Sequence, residues 1–225
     1  MNKRPLTLPS ALAGIGQSKV IVSFLLGLIF FLLTFTGTPS PLFAEDNMMI
    51  SFGSGRVAVR LYTDYFCVPC RAAEPEIESL LAALMDKNAV TITFVDTPMH
   101  RETTLYAKYF LYILNANQHS FAHALSARAA LFEAAAKNIG SSTELETFLS
   151  RKGLKFKPFG TAPFLLILEK FIREDNVNST PSCVIATLKN KEKFVGGNNI
   201  VKGLKAIQGT VRDKKQGDDP APTGH

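Results

Sequence analysis

The chain of 225 residues has few cysteines, only Cys67, Cys70 and Cys183. A small exported scaffold stapled by disulfides carries more of them, widely spaced, so a disulfide framework is excluded as the basis of the fold. A basic tract of the density that nucleic-acid binding requires is also missing. The formal net charge of +6 is unevenly placed: residues 1–44 hold Lys3, Arg4 and Lys19 and no acidic residue. The remainder has 22 basic against 19 acidic side chains, a balance of only +3, so the charge says little about partners. There is no internal repeat. With 46% hydrophobic and 20% charged residues, the composition suits one globular domain of ordinary size.

Long apolar runs are confined to one place, residues 20–35, where only Ser23, Gly27 and Thr34 interrupt. The three basic residues precede this run. Thr36-Gly37-Thr38-Pro39-Ser40-Pro41-Leu42-Phe43-Ala44 follows it and ends before Glu45-Asp46. Charged, apolar and small-residue regions in that order are those of a secretory signal cleaved after Ala44. An uncleaved signal anchor over residues 20–36 is the alternative, since the run is just short of a membrane span. No cysteine stands at the junction, so lipoprotein processing is not indicated. On either reading the rest of the chain lies outside the cytoplasm, in a periplasmic or other extracytoplasmic compartment.

That location changes the meaning of Cys67-Val68-Pro69-Cys70. In an oxidising compartment a single tight C-x-x-C reads as a working redox pair. So small a loop adds little chain-entropy stabilisation, which makes a structural purpose weak. Residues 56–62 before the pair alternate as a strand, and the residues after it read as a helix to about Asp86, with Ile77, Leu80, Leu81 and Leu84 at helical spacing and a kink at Pro75. A sulfur at a helix N-terminus meets unpaired amides and partial positive charge, which favour the nucleophilic thiolate. An inert disulfide or half a metal site is the bland reading.

The remaining pattern places this junction in a mixed architecture. Residues 48–52 read as a short strand and Gly53-Ser54-Gly55 as a turn. Residues 89–95 are rich in β-branched residues and predict a strand, parallel to the first because a helix separates them. Residues 102–174 read as an inserted block of three or four helices. One face carries Leu105, Tyr109, Tyr112 and Ile113, another Phe121, Leu125, Ala129 and Phe132, and Ser141 to Glu144 supply a cap. Strand signals return at 182–187 and 192–195, and a last helix fits 200–207. Residues 45–211 thus form the domain, and 212–225 read as a disordered tail.

The element order, with Cys67 and Cys70, Pro75 five residues later, Thr180-Pro181 before a late strand and Gly197 sixteen residues beyond that proline, resembles the thioredoxin fold. The helical insertion resembles the DsbA-like branch of exported thiol–disulfide oxidoreductases. So do Asp64-Tyr65, the phrase Asp96-Thr97-Pro98-Met99-His100, and Phe121-Ala122-His123-Ala124-Leu125. The resemblance covers about residues 48–210. It implies an α/β thioredoxin-like fold, a central mixed sheet with an inserted helical subdomain. It implies Cys67 as the exposed nucleophile, Cys70 as its buried partner, and a cis bond between Thr180 and Pro181 that offers backbone to an extended substrate.

Two positions depart from the family pattern. Leu61 stands where many relatives bury an acid that helps move the proton of the second cysteine, with Asp64 and Glu74 the nearest acids in sequence. Val68 cannot provide the thiolate-stabilising contact that histidine gives in DsbA, so a milder oxidant is expected. The implied activity is disulfide exchange with unfolded or partly folded exported proteins. It is most like a DsbA-type oxidase, as a monomer served by a membrane redox partner protein. The alternatives are a disulfide reductase, as in cytochrome c maturation, and a non-catalytic binding module or chaperone. No cofactor, metal or nucleic acid is implied.

Among the remaining candidates, Cys183 reads as a small buried thiol in an apolar strand, with a third redox cysteine as the sharper reading. His100 could lie near the active edge but reads as a solvated or capping side chain. His119 and His123, four apart, read as surface for want of a third ligand. Tyr65 and Phe66 are candidates to flank a hydrophobic peptide groove.

Overall fold

A computed structural model describes residues 50–217 and their side chains as far as Thr210. The expected signal or anchor at 1–44 lies outside the described residues, as does the tail from 218. Among the described residues no helix is long and apolar enough to cross a membrane.

Five strands form one mixed sheet: β1 (Ser51–Phe52), β2 (Val57–Thr63), β3 (Val90–Asp96), β4 (Ser182–Ala186) and β5 (Lys191–Val195). Their order across the sheet is β1-β3-β2-β4-β5. β2 and β3 are parallel, Val57 opposite Val90 through Thr63 opposite Asp96, and the other neighbours are antiparallel. Helix α1 (Val68–Met85) makes the crossover between the parallel pair. Four helices follow β3: α2 (Thr103–Ala116), α3 (Phe121–Ala136), α4 (Ser142–Arg151) and α5 (Ala162–Glu174). Helix α6 (Gly197–Gly217) closes the fold and packs on α1.

Strand alternation sends the side chains of β2 to two cores. Val59 and Leu61 enter a large core with Ile77, Leu81 and Leu84 of α1, Ile200 and Leu204 of α6, and Tyr106, Phe110 and Leu131 of the insertion. Tyr62 enters a smaller one with Val95, Leu168, Phe171 and Val184. Gly197 lets α6 approach α1, because a Cβ there would meet the Ala73 Cβ at 2.6 Å. Ser141 caps α4 by accepting from the Glu144 amide at 3.3 Å, and its hydroxyl donates to the Glu144 carboxylate at 2.8 Å.

Three expectations change. The backbone is helical to Gly217, where the sequence reading began a disordered tail at 212. Residues 212–216 are polar but include good helix formers, and no glycine or proline intervenes before 217. Helix α3 buries Phe132 and packs Phe121 and Leu125 against the core as expected, but Ala129 is exposed and Arg128 is buried instead. The last helix is also longer at its start, beginning at Gly197 instead of Ile200.

Candidate active site

The site forms where β2 ends and α1 begins. Cys67 is the N-cap of α1, in extended conformation at φ −70° and ψ 112°, and its Sγ accepts the Cys70 amide at 3.2 Å. Pro69 sits in the first turn, where a missing N–H costs nothing. The helix thus aims its free amides at Cys67, the condition under which a thiolate is stabilised. Cys67 keeps 8% exposure and Cys70 none, so the first cysteine is more covered than the sequence reading assumed. Both are free thiols. Burial, and then the hydrogen bond with Cys67, push the Cys70 thiol up to about 12.

Asp64 holds the turn before the pair. Its buried carboxylate accepts from the amides of Phe66 (2.8 Å), Met99 (2.8 Å) and His100 (3.0 Å) and from the Thr103 hydroxyl (2.6 Å). His100 Nδ1 lies 3.0 Å from the same carboxylate. The turn is thereby tied to the loop between β3 and α2, and His100 packs near Phe66, ring centroids 6.0 Å apart.

Thr180-Pro181 lies against Cys67. The peptide bond is cis, and Cys67 Sγ donates to the Thr180 carbonyl at 3.4 Å. The Pro181 carbonyl is held by the Gly196 amide at 2.9 Å. The fold therefore brings Cys67, Cys70, Thr180 and Pro181 together. Three exposed apolar residues connect to them through the chain, the strand ladder or the Asp64 hydrogen bonds. Val68 (64% exposed) follows Cys67, Met99 (43%) is anchored on Asp64, and Val195 (45%) pairs with Ser182.

Other candidates separate from the site. Tyr65 flanks no groove: it is 1% exposed and packs on Tyr106 and Phe132 in the core. Phe66 is half-buried, edge-on to Tyr106. Cys183 is buried opposite Leu61, and burial raises its thiol to about 12. His119 is half-buried and stacks on Phe52 at 4.6 Å, whereas His123 is exposed. Among the described residues no group of His, Cys, Asp and Glu could hold a metal ion.

The sequence reading missed Arg128. It is fully buried, with Nη2 2.5 Å and Nε 2.7 Å from Glu74 Oε1, and donates to the Thr63 hydroxyl at 3.0 Å. Its guanidinium lies 4.3 Å from the Phe94 ring centroid and 3.9 Å from Asp96 Oδ1. Leu61 is apolar and buried, so the acid nearest Cys70 along α1 is Glu74, one turn on. Burial raises the carboxyls of Glu74 and Asp96 despite Arg128, that of Asp96 to about 6. The available signal was positional: Arg128 falls on the same helical face as Ala124, Leu131 and Ala135.

No family model matches the chain, and no curated protein matches it. Solved structures do. The catalytic domain of ScsC from Proteus mirabilis superposes with TM-score 0.58 at 14% identity, over 75% of this chain and 92% of that one. Alpha-DsbA1 of Wolbachia pipientis gives 0.55 at 13% identity, over 75% and 98%. A periplasmic thioredoxin-like protein of Salmonella enterica serovar Typhimurium gives 0.50 at 16% identity, over 69% and 89%. At such identities the likeness concerns the fold: this chain has the thioredoxin-like fold with the helical insertion seen in DsbA-like proteins.

Proposed function

We propose that the protein is an exported thiol–disulfide oxidoreductase working through Cys67 and Cys70, in the direction of a DsbA-like oxidase. The observation that carries this reading is the position of Cys67. Its sulfur caps α1, receives the Cys70 amide, and lies beside the Thr180 carbonyl. Helix amides stabilise negative charge on that sulfur. Cys70, fully buried, is kept as the thiol at neutral pH.

The exchange follows from this asymmetry. A substrate thiolate attacks Cys67 Sγ of the oxidised pair, the bond to Cys70 breaks, and a mixed disulfide forms. A second substrate thiol then displaces Cys67, leaving the substrate oxidised and the pair reduced. Thr180 and Pro181 border the attacked sulfur and receive extended polypeptide, with Val68, Met99 and Val195 as an apolar rim. Unfolded or partly folded exported proteins expose such segments, and the protein acts on them as a monomer. A membrane redox protein reoxidises the pair.

The test is a trapping experiment with the Cys70→Ala variant and a peptide disulfide. A mixed disulfide mapped to Cys67 by mass spectrometry is expected, together with oxidation of reduced ribonuclease by the unaltered protein. Absence of any mixed disulfide overturns the mechanism. Insulin reduction without ribonuclease oxidation would reverse its direction and favour a reductase, and no activity in either assay would favour a binding module.

A further inference from the structure

Asp64 is joined to Cys67 through the backbone and to His100 through its side chain. Its carbonyl accepts the Cys67 amide at 3.2 Å and so closes the turn that presents the sulfur. Its carboxylate is fully buried, and both oxygens are engaged. Oδ2 takes the amides of Met99 and His100 at 2.8 and 3.0 Å and the Thr103 hydroxyl at 2.6 Å. Oδ1 takes the Phe66 amide at 2.8 Å and His100 Nδ1 at 3.0 Å. One oxygen therefore bridges the imidazole to the residue that precedes Cys67.

A carboxylate accepts and does not donate, so Nδ1 carries the hydrogen in this contact. The ring is thereby oriented, and it meets other molecules through Nε2. Among the described residues no hydrogen bond reaches Nε2, and the side chain is 47% exposed. The three backbone amides and the Thr103 hydroxyl hold Asp64 without the imidazole, so closure of the turn does not require histidine. The same donors spread the charge of Asp64, which leaves an imidazolium with positive charge to offer outward. His100 also stands on the apolar rim: it follows Met99, and its ring centroid is 6.0 Å from that of Phe66. The other charged groups on its loop are Arg101, exposed, and Glu102, half-buried. From α1, Arg71 is half-buried in the turn after Cys70. From α5, Glu169 lines a small cavity with Pro98 and Thr104, and it pairs with Arg173 at 3.6 Å. Arginine and glutamate ordinarily keep their charge between about pH 5 and 8, and histidine is the side chain that changes it there.

We propose that His100 is a substrate-contact residue that takes a carboxylate side chain flanking the reacting cysteine of the substrate, with Asp64 as its positioning residue. The assignment rests on the redox reading of Cys67 and Cys70 and deepens it. In the imidazolium form Nε2 donates to the substrate carboxylate, and charge adds to the hydrogen bond. In the neutral form Nε2 is an acceptor and offers that carboxylate nothing. Preference for acidic segments therefore belongs to the protonated ring and fades as pH rises. It governs which segment docks beside Cys67 and leaves the sulfur chemistry alone.

The test is single-turnover oxidation of two dithiol peptides by the oxidised full-length protein, between about pH 5.5 and 9, on either side of the range in which histidine changes charge. One peptide has Asp on both sides of its attacking cysteine and the other has Asn. The Asp-to-Asn rate ratio of the parent is divided by that of His100→Gln at the same pH, so that differences in peptide thiol reactivity cancel. This quotient is expected to be about fivefold at the acidic end, the upper range for an exposed ion pair, and to approach one at the alkaline end. Dithiothreitol, which carries no carboxylate, is expected to react equally with both proteins. A quotient of one across the range overturns the proposal. An equal loss by His100→Gln with dithiothreitol and with both peptides also overturns it and makes the histidine a support of the turn. If the parent forms no reversible Cys67–Cys70 disulfide, the redox reading fails and the assignment falls with it.

Discussion

Two buried charge clusters occupy opposite faces of the same sheet, and they are built on opposite principles. On the face of Arg60 and Tyr62, Asp175 is surrounded by cations. Arg60 Nη1 lies 3.1 Å from Oδ2, Lys191 Nζ lies 2.6 Å from Oδ1, and the Tyr62 hydroxyl donates to the same carboxylate. Burial alone would raise its pKa, but hydrogen bonds from Lys191 and Tyr62 and the charge of Arg60 hold it below the ordinary range. On the other face a single cation, Arg128, serves Glu74 and Asp96, with Glu78 nearby, and all three carboxyls are raised, first by burial. An excess of cations fixes a charge; a deficit leaves protons shared and exchangeable. The first cluster clamps α5 to β2 and β5. The second lies along the helix that carries Cys70 and ties it to α3 and β3.

The comparison breaks most directly at Arg128. Arg128→Met leaves Glu74 and Asp96 buried without a counter-ion and is expected to cost about 3–5 kcal/mol in urea unfolding. A loss of under about 1 kcal/mol would mean that the carboxyls are already neutral and the cluster is not held by charge. Asp175→Asn is expected to cost less, about 1–3 kcal/mol, because the Lys191 side chain is 53% exposed and turns to water. The rate of disulfide exchange should not change. A change would show that the clamp reaches the active site.

The smallest effect concerns pH. A carboxyl raised in the folded state binds protons that the unfolded chain has released, so its contribution is present below the unfolded value and is lost as pH rises through the folded one. For Glu78 that window runs from about 4.3, the ordinary glutamate value, to about 7. Glu78→Gln is therefore expected to match the parent in melting temperature near pH 4 and to exceed it by a few degrees above pH 7. Equal melting temperatures at both ends would remove Glu78 from the titrating cluster.

Much of the fold was legible because it rests on local signals. The β-branched run at 89–95 and the apolar spacing after Cys70 each have a direct reading, in strand and helix. The parallel pairing of β2 and β3 followed from the helix between them. The candidate site was legible at Cys67, Cys70 and Thr180-Pro181, since these are adjacent or punctuated by proline. Arg128 was not, because its meaning depends on α3 packing against α1, a contact between residues 54 positions apart. Glu74 was noticed for its nearness in sequence, but only the burial of its helix face gives it a place in the core. Tyr65 misled because a residue two positions before the candidate cysteine can turn inward as readily as outward, and here it packs on Tyr106 and Phe132.

The central claim, that Cys67 and Cys70 form a working redox couple, is tested most directly by equilibrium titration in glutathione buffers with alkylation and mass readout. One reversible two-electron transition is expected, confined to Cys67 and Cys70. Its potential should fall between roughly −270 mV, the thioredoxin value, and roughly −120 mV, that of DsbA, because Val68 supplies no stabilising contact to the thiolate. Cys183 should stay alkylatable only on unfolding, and Cys183→Ala should leave the potential unchanged. A pair that remains reduced, or remains oxidised, across the whole buffer range would contradict the claim.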